Sequence, residues 1–206
     1  LNGAEEWLAE AKFIRAYTYF ALVKRYGGVP IIEAPQGIDE DLLVARSSHQ
    51  DCVDFILKDL DDAIVDMSNK KVNGRANKYV AAAFKSRVAL YAGSVARYGE
   101  AYMYTGESGT ILTGIPASLA NDYFRQSYEA ANIVETGGYA LHKGADKRQA
   151  FYEVFDKATS NAESIFIREY YPDQYVHSWD KMMSPEAWTG GYGGRYFVPL
   201  DWVELF

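Results

Sequence analysis

Candidate catalytic carboxylates in the last stretch of the chain are Asp173, Asp180, Glu186 and Asp201. Cleaving a glycosidic bond takes two carboxyl groups at a defined separation, one to protonate the leaving oxygen and one to act as base or nucleophile. Spacing along an irregular segment sets no such separation, and solvated surface acids are the simpler reading. His177 lies near Asp173 and Ser178, but the Gly-x-Ser-x-Gly elbow that presents a serine nucleophile is absent. Gly190-Gly191-Tyr192-Gly193-Gly194 is not a phosphate loop, since no Gly-Lys-Ser/Thr closes it and no strand feeds a helix there. His49, beside a helix cap, and His142, beside a glycine-bounded turn, read as surface histidines. Three His and one Cys leave no zinc cluster of the usual spacing. No EF-hand-like spacing supports calcium. The residues therefore argue for no catalytic group, no metal and no cofactor.

Binding fares better than turnover. From Tyr170 to Phe206 the chain carries five Tyr, three Trp and two Phe in 37 residues, more than twice the aromatic density of the rest. A sugar ring offers an apolar C–H face to a flat aromatic side chain. Trp and Tyr suit it because each joins a large apolar plane to a polar tip. Tyr175, Trp179, Trp188 and Tyr192, with Arg195 and the nearby Asp173, Gln174, Asp180 and Thr189, have the composition of a carbohydrate platform. Such sites usually sit on loops carried by a rigid scaffold. The same rings serve equally to pack this segment onto the helices, and Trp202 reads as packing.

The scaffold is helical. From Glu5 the sequence runs over twenty residues without Gly or Pro, then stops at Gly27-Gly28 with Pro30 behind, a helix-ending arrangement. Its apolar residues, from Trp7 and Leu8 to Leu22 and Val23, go nearly all the way round the helical wheel, which predicts a central helix buried among others. Val29 to Gln36 reads as an extended connector held open by Pro30 and Pro35. Ser48 and Asp51 form a capping-box pattern, and Val53, Ile56, Leu57, Leu60, Ile64 and Met67 recur at helical spacing. A third helix is predicted from Asn77 to Tyr98, rich in Ala and Gly93, whose small side chains admit a close neighbour. Residues 39–67 hold nine acids against two bases, and residues 68–98 hold seven bases and no acid. Those signs predict a helical hairpin paired along its edges.

Glu100 to Pro116 reads as a surface loop. A fourth helix is expected from Ser118 to Glu135, with Leu119, Tyr123, Phe124, Ala131 and Val134 inward and Gly137-Gly138 ending it. Tyr139 to Leu141 reads as a short extended piece, Phe151 to Phe155 as one helical turn and Glu163 to Arg168 as a short strand. The fold class is thus mainly α: helix pairs stacked in a tetratricopeptide-like α–α superhelix, with long irregular aromatic-rich loops. One domain over 1–206 is expected, a helical scaffold to 169 and an aromatic-rich irregular segment from 170.

At 206 residues, 49% hydrophobic and 24% charged, the chain has the composition of a soluble globular domain. A net charge of -7 argues against nucleic acid, which demands a basic stripe. Cys52, set among apolar helix residues, is expected to be a buried free thiol. Its isolation means that cysteine usage says nothing of the redox compartment.

Several landmarks resemble the SusD/RagB family, the surface glycan-binding lipoproteins of Bacteroidetes. They are Phe13-Ile14-Arg15-Ala16-Tyr17 running into Tyr26-Gly27-Gly28-Val29-Pro30; Gly74-Arg75-Ala76 ahead of Ser86-Arg87-Val88-Ala89-Leu90-Tyr91-Ala92-Gly93; Ala130-Ala131-Asn132 leading to Gly137-Gly138-Tyr139-Ala140-Leu141; and Asn161-Ala162-Glu163-Ser164-Ile165-Phe166. Their order also matches the family's. The resemblance implies a non-enzymatic protein that binds oligosaccharides, in some members peptides, at the outer-membrane surface and closes over a SusC-like TonB-dependent transporter. It further implies that this chain is the middle portion of a larger protein whose lipid anchor lies outside it. The family's ligand contacts lie in variable loops, so the platform residues named above rest on composition.

Overall fold

The computed structural model describes residues 3–40, 42–72, 74–156 and 162–168, together with Tyr170, Ser178 and Met182. The chain divides into two units between Ile167 and Arg168. The first unit is built from helices α1 (Ala4–Tyr26), α2 (His49–Asp66), α3 (Lys78–Tyr98), α4 (Ala120–Glu135) and α5 (Lys147–Asp156). A two-stranded antiparallel hairpin, β1 (Tyr104–Thr105) and β2 (Ile111–Thr113), lies between α3 and α4. The fold is mainly α, as the sequence predicts. In the second unit, the Arg168 guanidinium lies 5.3 Å from the Tyr170 ring centroid, and the Met182 N–H donates to the Ser178 carbonyl at 2.9 Å.

Helix α2 runs antiparallel to α1, and α4 to α3. Lys12 meets Asp62 while Arg15 meets Asp59, so α2 descends as α1 rises. Ser86 meets Ser127, and a Cβ at Gly93 would touch the Phe124 ring, which sets α4 antiparallel to α3. Gly93 is therefore the close-approach point that the small residues of α3 predict. Around these crossings lies one continuous core, with Val23, Val53, Ile56, Leu60, Val88 and Ile115 among its fully buried side chains. Cys52 is buried there as a free thiol and exchanges weak hydrogen bonds with the Val29 main chain.

Local signals explain most boundaries. Glu5 and Glu6 in the first turn of α1, and Lys24 and Arg25 in its last, complement the helix dipole. Gly27 ends α1 at φ 70°, where the Leu112 carbonyl oxygen occupies the space of a Cβ. The Ser48–Asp51 capping box is formed in both directions. Asn77 caps α3 by accepting from the Tyr79 and Val80 N–H groups.

Several expectations are corrected. α1 is not buried all round. Ala9, Phe13, Ala16, Phe20 and Val23 face the core, while Trp7, Leu8, Ile14, Tyr17, Leu22 and Tyr26 are exposed. Its all-round apolarity reflects two apolar faces, of which the described chain covers one. The acids of α2 are also shared differently, since Asp59 and Asp62 pair with α1 and only Asp61 reaches α3, at Lys85. Inward on α4 are Ala120, Tyr123, Ser127 and Ala130, not Ala131, which is exposed. The stretch read as a loop from Glu100 contains the β1–β2 hairpin. α5 is ten residues long rather than one turn. Residues 163–168 are irregular, with a bend at 165–166, rather than a strand, and Tyr139 to Leu141 are irregular.

Candidate functional site

The expected platform residues Tyr175, Trp179, Trp188, Tyr192 and Arg195 lie outside the described residues, as do Trp202, His177 and the carboxylates Asp173, Asp180, Glu186 and Asp201. Ser178 is described and exposed. Among the described residues, no group of three or more His, Cys, Asp or Glu gathers as a metal site would.

The described part offers an aromatic cleft of about 450 Å³ between α1, α3 and residues 163–166. Its rings come from one face of each helix. Phe13 and Tyr17 are spaced four apart on α1, and Phe84 of α3 and Phe166 complete the rings of the lining. Tyr17 and Phe84 have ring centroids 5.2 Å apart and tilted by 33°. Phe13 meets Phe84 edge-on at 5.9 Å and Phe166 edge-on at 6.2 Å. The segment carrying Phe166 is tied down by Lys71 Nζ, which donates to the Ser164 carbonyl at 3.0 Å, and by the Ala140 N–H, which donates to the Ala162 carbonyl at 3.3 Å. Arg87 and Glu163 supply the charged part of the lining.

Phe13 is a wall, only 5% exposed, whereas Tyr17 and Phe166 are about half exposed. Half-exposed rings beside polar groups can take the apolar face of a sugar or an apolar peptide side chain. Sequence reasoning missed this cleft. Its signal was present as the ring spacing on α1, but the convergence of α1 and α3 with Phe166 spans up to 153 residues of chain.

Two histidines read as surface groups are not free. His49 is buried, and its Nδ1 accepts the Gly114 N–H at 3.1 Å while Nε2 has no hydrogen-bond partner among the described residues. Burial pushes its pKa down from the ordinary histidine value. His142 Nε2 contacts Glu153 Oε2 at 2.7 Å, and its main-chain N–H donates to Glu163. His142 and Glu163, together with Leu141, Phe151 and Phe155, line a second hollow of about 540 Å³. Tyr123 donates to Asp54 at 2.7 Å, and burial with that carboxylate raises the phenol pKa. Lys12 and Lys58 hold the Asp62 carboxyl below its ordinary range.

Comparison with known proteins shows what the chain resembles. Residues 3–90 match the SusD-like family described as "Starch-binding associating with outer membrane". A SusD-like protein of Bacteroides ovatus is 26% identical over 97% of this chain and 34% of its own length. One of Formosa agariphila is 31% identical over 42% of this chain and 17% of its own. The crystal structure of a SusD-like protein from Bacteroides fragilis superposes with a TM-score of 0.61 at 27% identity, covering 82% of this chain and 28% of that one. A crystal structure with xylogluco-oligosaccharide gives a TM-score of 0.51 at 25% identity, over 66% of this chain and 24% of its own. The helical pairs are thus those of a SusD-like scaffold. The chain is similar to SusD-like proteins over residues 3–90 and in its helical fold, and it spans about a third or less of the length of these relatives.

Proposed function

We propose that this chain is part of a non-enzymatic glycan-capture protein, which binds oligosaccharides and delivers them to a SusC-like TonB-dependent transporter. The observation that carries the reading is the shared fold and 25% identity with a structure holding xylogluco-oligosaccharide. The family description, starch-binding in association with the outer membrane, points the same way. In this reading the protein works at the outer-membrane surface as a lipoprotein whose anchor lies outside these residues. Among the described residues no helix is long and apolar enough to cross a membrane. Helices α1 to α4 are the scaffold, and the aromatic segment with Tyr175, Trp179, Trp188, Tyr192 and Arg195 supplies the sugar platform. The ring cleft at Tyr17 and Phe166 is a second place where a sugar ring fits.

Calorimetric titration against a panel of neutral and acidic oligosaccharides, xylogluco-oligosaccharides among them, tests this. Trp179→Ala, Trp188→Ala and Tyr17→Ala are run alongside. One glycan class should bind, and Trp179→Ala or Trp188→Ala should weaken it about tenfold or more, equivalent to at least 1.4 kcal/mol. Loss in Tyr17→Ala alone moves the site to the cleft. Absence of glycan binding with retention of an apolar peptide favours a different reading, a tetratricopeptide-like module that binds a protein or peptide.

A further inference from the structure

The β1–β2 hairpin is tied back to the helices at two points. The Gly28 N–H, just past α1, donates to the Leu112 carbonyl at 2.7 Å, and the Gly114 N–H donates to His49 Nδ1 at 3.1 Å. Ile115 follows directly and is buried, so the second tie stands where the hairpin enters the core. The first tie joins two main-chain groups and does not titrate. The second ends on an imidazole that is itself buried, at 4% exposure. Because Nδ1 accepts, the proton of the neutral ring is on Nε2, which has no hydrogen-bond partner among the described residues. An imidazolium carries an N–H at both positions and no acceptor, so turning the ring over restores nothing. Protonation therefore sets the Nδ1–H against the Gly114 N–H and leaves buried donors unmatched.

The surroundings do little to hold such a charge. His49 is the first residue of α2, where the helix dipole disfavours a cation. From α3 the Tyr91 ring stands 6.4 Å away between centroids, and burial raises its phenol pKa, which keeps it neutral. On α2 the ionisable neighbours are Asp51, whose carboxylate accepts the Ser48 N–H at 3.3 Å, and Cys52, which is bonded to the Val29 main chain. From the connector comes Arg46, whose guanidinium is committed to the Gly28 and Tyr26 carbonyls. Burial displaces the His49 pKa downward. We propose that His49 is an acid-sensitive clasp: taking a proton at Nδ1, it lets go of Gly114 and frees the β1–β2 hairpin from the junction of α1 and α2 while the helical core stays folded. The docked form excludes the proton, and the released form accepts it near pH 6.5, the ordinary value of about 6.5. Between that value and the lower docked one, the released population rises by up to about tenfold per pH unit.

Amide hydrogen exchange of the full chain, followed by NMR and corrected for each amide's intrinsic rate, tests this from about pH 7.5 down to about pH 5. Protection at Gly28 and Gly114 should fall together below about pH 6.5, by up to about tenfold per pH unit, while Ile56, Leu60 and Val88 keep theirs. His49→Asn places an amide oxygen where Nδ1 stands and does not titrate, so its hairpin protection should not change with pH. The His49 ring, followed by its own NMR signals, should show the Nε2–H form at neutral pH and titrate over the range in which protection is lost. Hairpin protection that is constant with pH in the unsubstituted chain overturns the proposal. So does a loss shared equally by Ile56, Leu60 and Val88, which is unfolding of the whole domain rather than release. A His49→Asn variant that loses hairpin protection with pH as the unsubstituted chain does also overturns it. Should that variant fail to fold, the ring titration decides: a His49 ring that stays neutral while Gly114 loses protection overturns the proposal.

Discussion

Removing the Arg15 side chain tests how α1 is held to α2. Asp59 is buried, with only 3% of its side chain exposed, and accepts from Arg15 Nε at 2.7 Å and Nη2 at 2.8 Å. The same guanidinium donates to the Glu33 carbonyl at 3.2 Å and lies 4.8 Å from the Phe55 ring centroid. One group thus joins α1, α2 and the connector. Arg15→Ala leaves a buried carboxylate without its counter-ion, which costs about 3–5 kcal/mol for a fully buried pair. Arg15 is about a third exposed, so water reaches the gap and the expected cost falls to about 2–4 kcal/mol. For a domain of this size that lowers the melting temperature by about 4–16 °C. Urea unfolding of Arg15→Ala, Asp59→Ala and the double variant measures it as a cycle. The double variant should be less destabilised than the sum of the singles by about 1–3 kcal/mol. A cost for Arg15→Ala below about 1 kcal/mol, with additive singles, would refute the reasoning, because an uncompensated buried charge cannot be that cheap.

Three further outcomes follow from the packing. Gly28→Ala drives a Cβ into the Ser47 carbonyl oxygen and to 2.9 Å from the Ser48 carbonyl carbon, both main-chain atoms, so denaturant unfolding should show a loss of about 1–3 kcal/mol. Tyr123→Phe deletes the hydrogen bond to Asp54 and should cost about 1 kcal/mol in the same assay. His49 has a folded pKa below its unfolded value of about 6.5, so below that pH the unfolded chain takes up the proton first. Stability should therefore fall as pH drops through about 6.5 and toward the folded value, by at most about 1.4 kcal/mol per pH unit. His49→Gln should flatten that slope. Asp62, whose folded pKa is depressed, loses its contribution only below about pH 4, in a separate window.

Where a signal is local, the sequence carried it. α2 could be read from Ser48, Asp51 and the recurrence of Val53, Ile56 and Leu60, because capping and amphipathicity depend on near neighbours. The ends of α1 and α3 were legible for the same reason, through Gly27 and Asn77. Burial that depends on distant partners was not. His49 is covered by Gly114, 65 residues away, and nothing beside it in sequence distinguishes it from a surface residue. The β1–β2 hairpin is made of strands of two and three residues, too short for an alternation to register. The wheel of α1 was read correctly as apolar all round, but periodicity cannot tell a helix buried on every side from one with a covered and an uncovered face. The tail aromatics rest on composition and lie outside the described residues. The cleft at Tyr17, Phe84 and Phe166 was not legible, since its rings meet only through the stacking of α1 on α3.

The most direct measurement is calorimetry of the chain with the best-binding oligosaccharide, followed by mass spectrometry of the recovered ligand. The account predicts saturable binding with the oligosaccharide returned intact, and weaker binding in Trp188→Ala at unchanged fold. Shortened or rearranged oligosaccharide would contradict it by making the protein an enzyme. So would the absence of binding to every glycan in the panel.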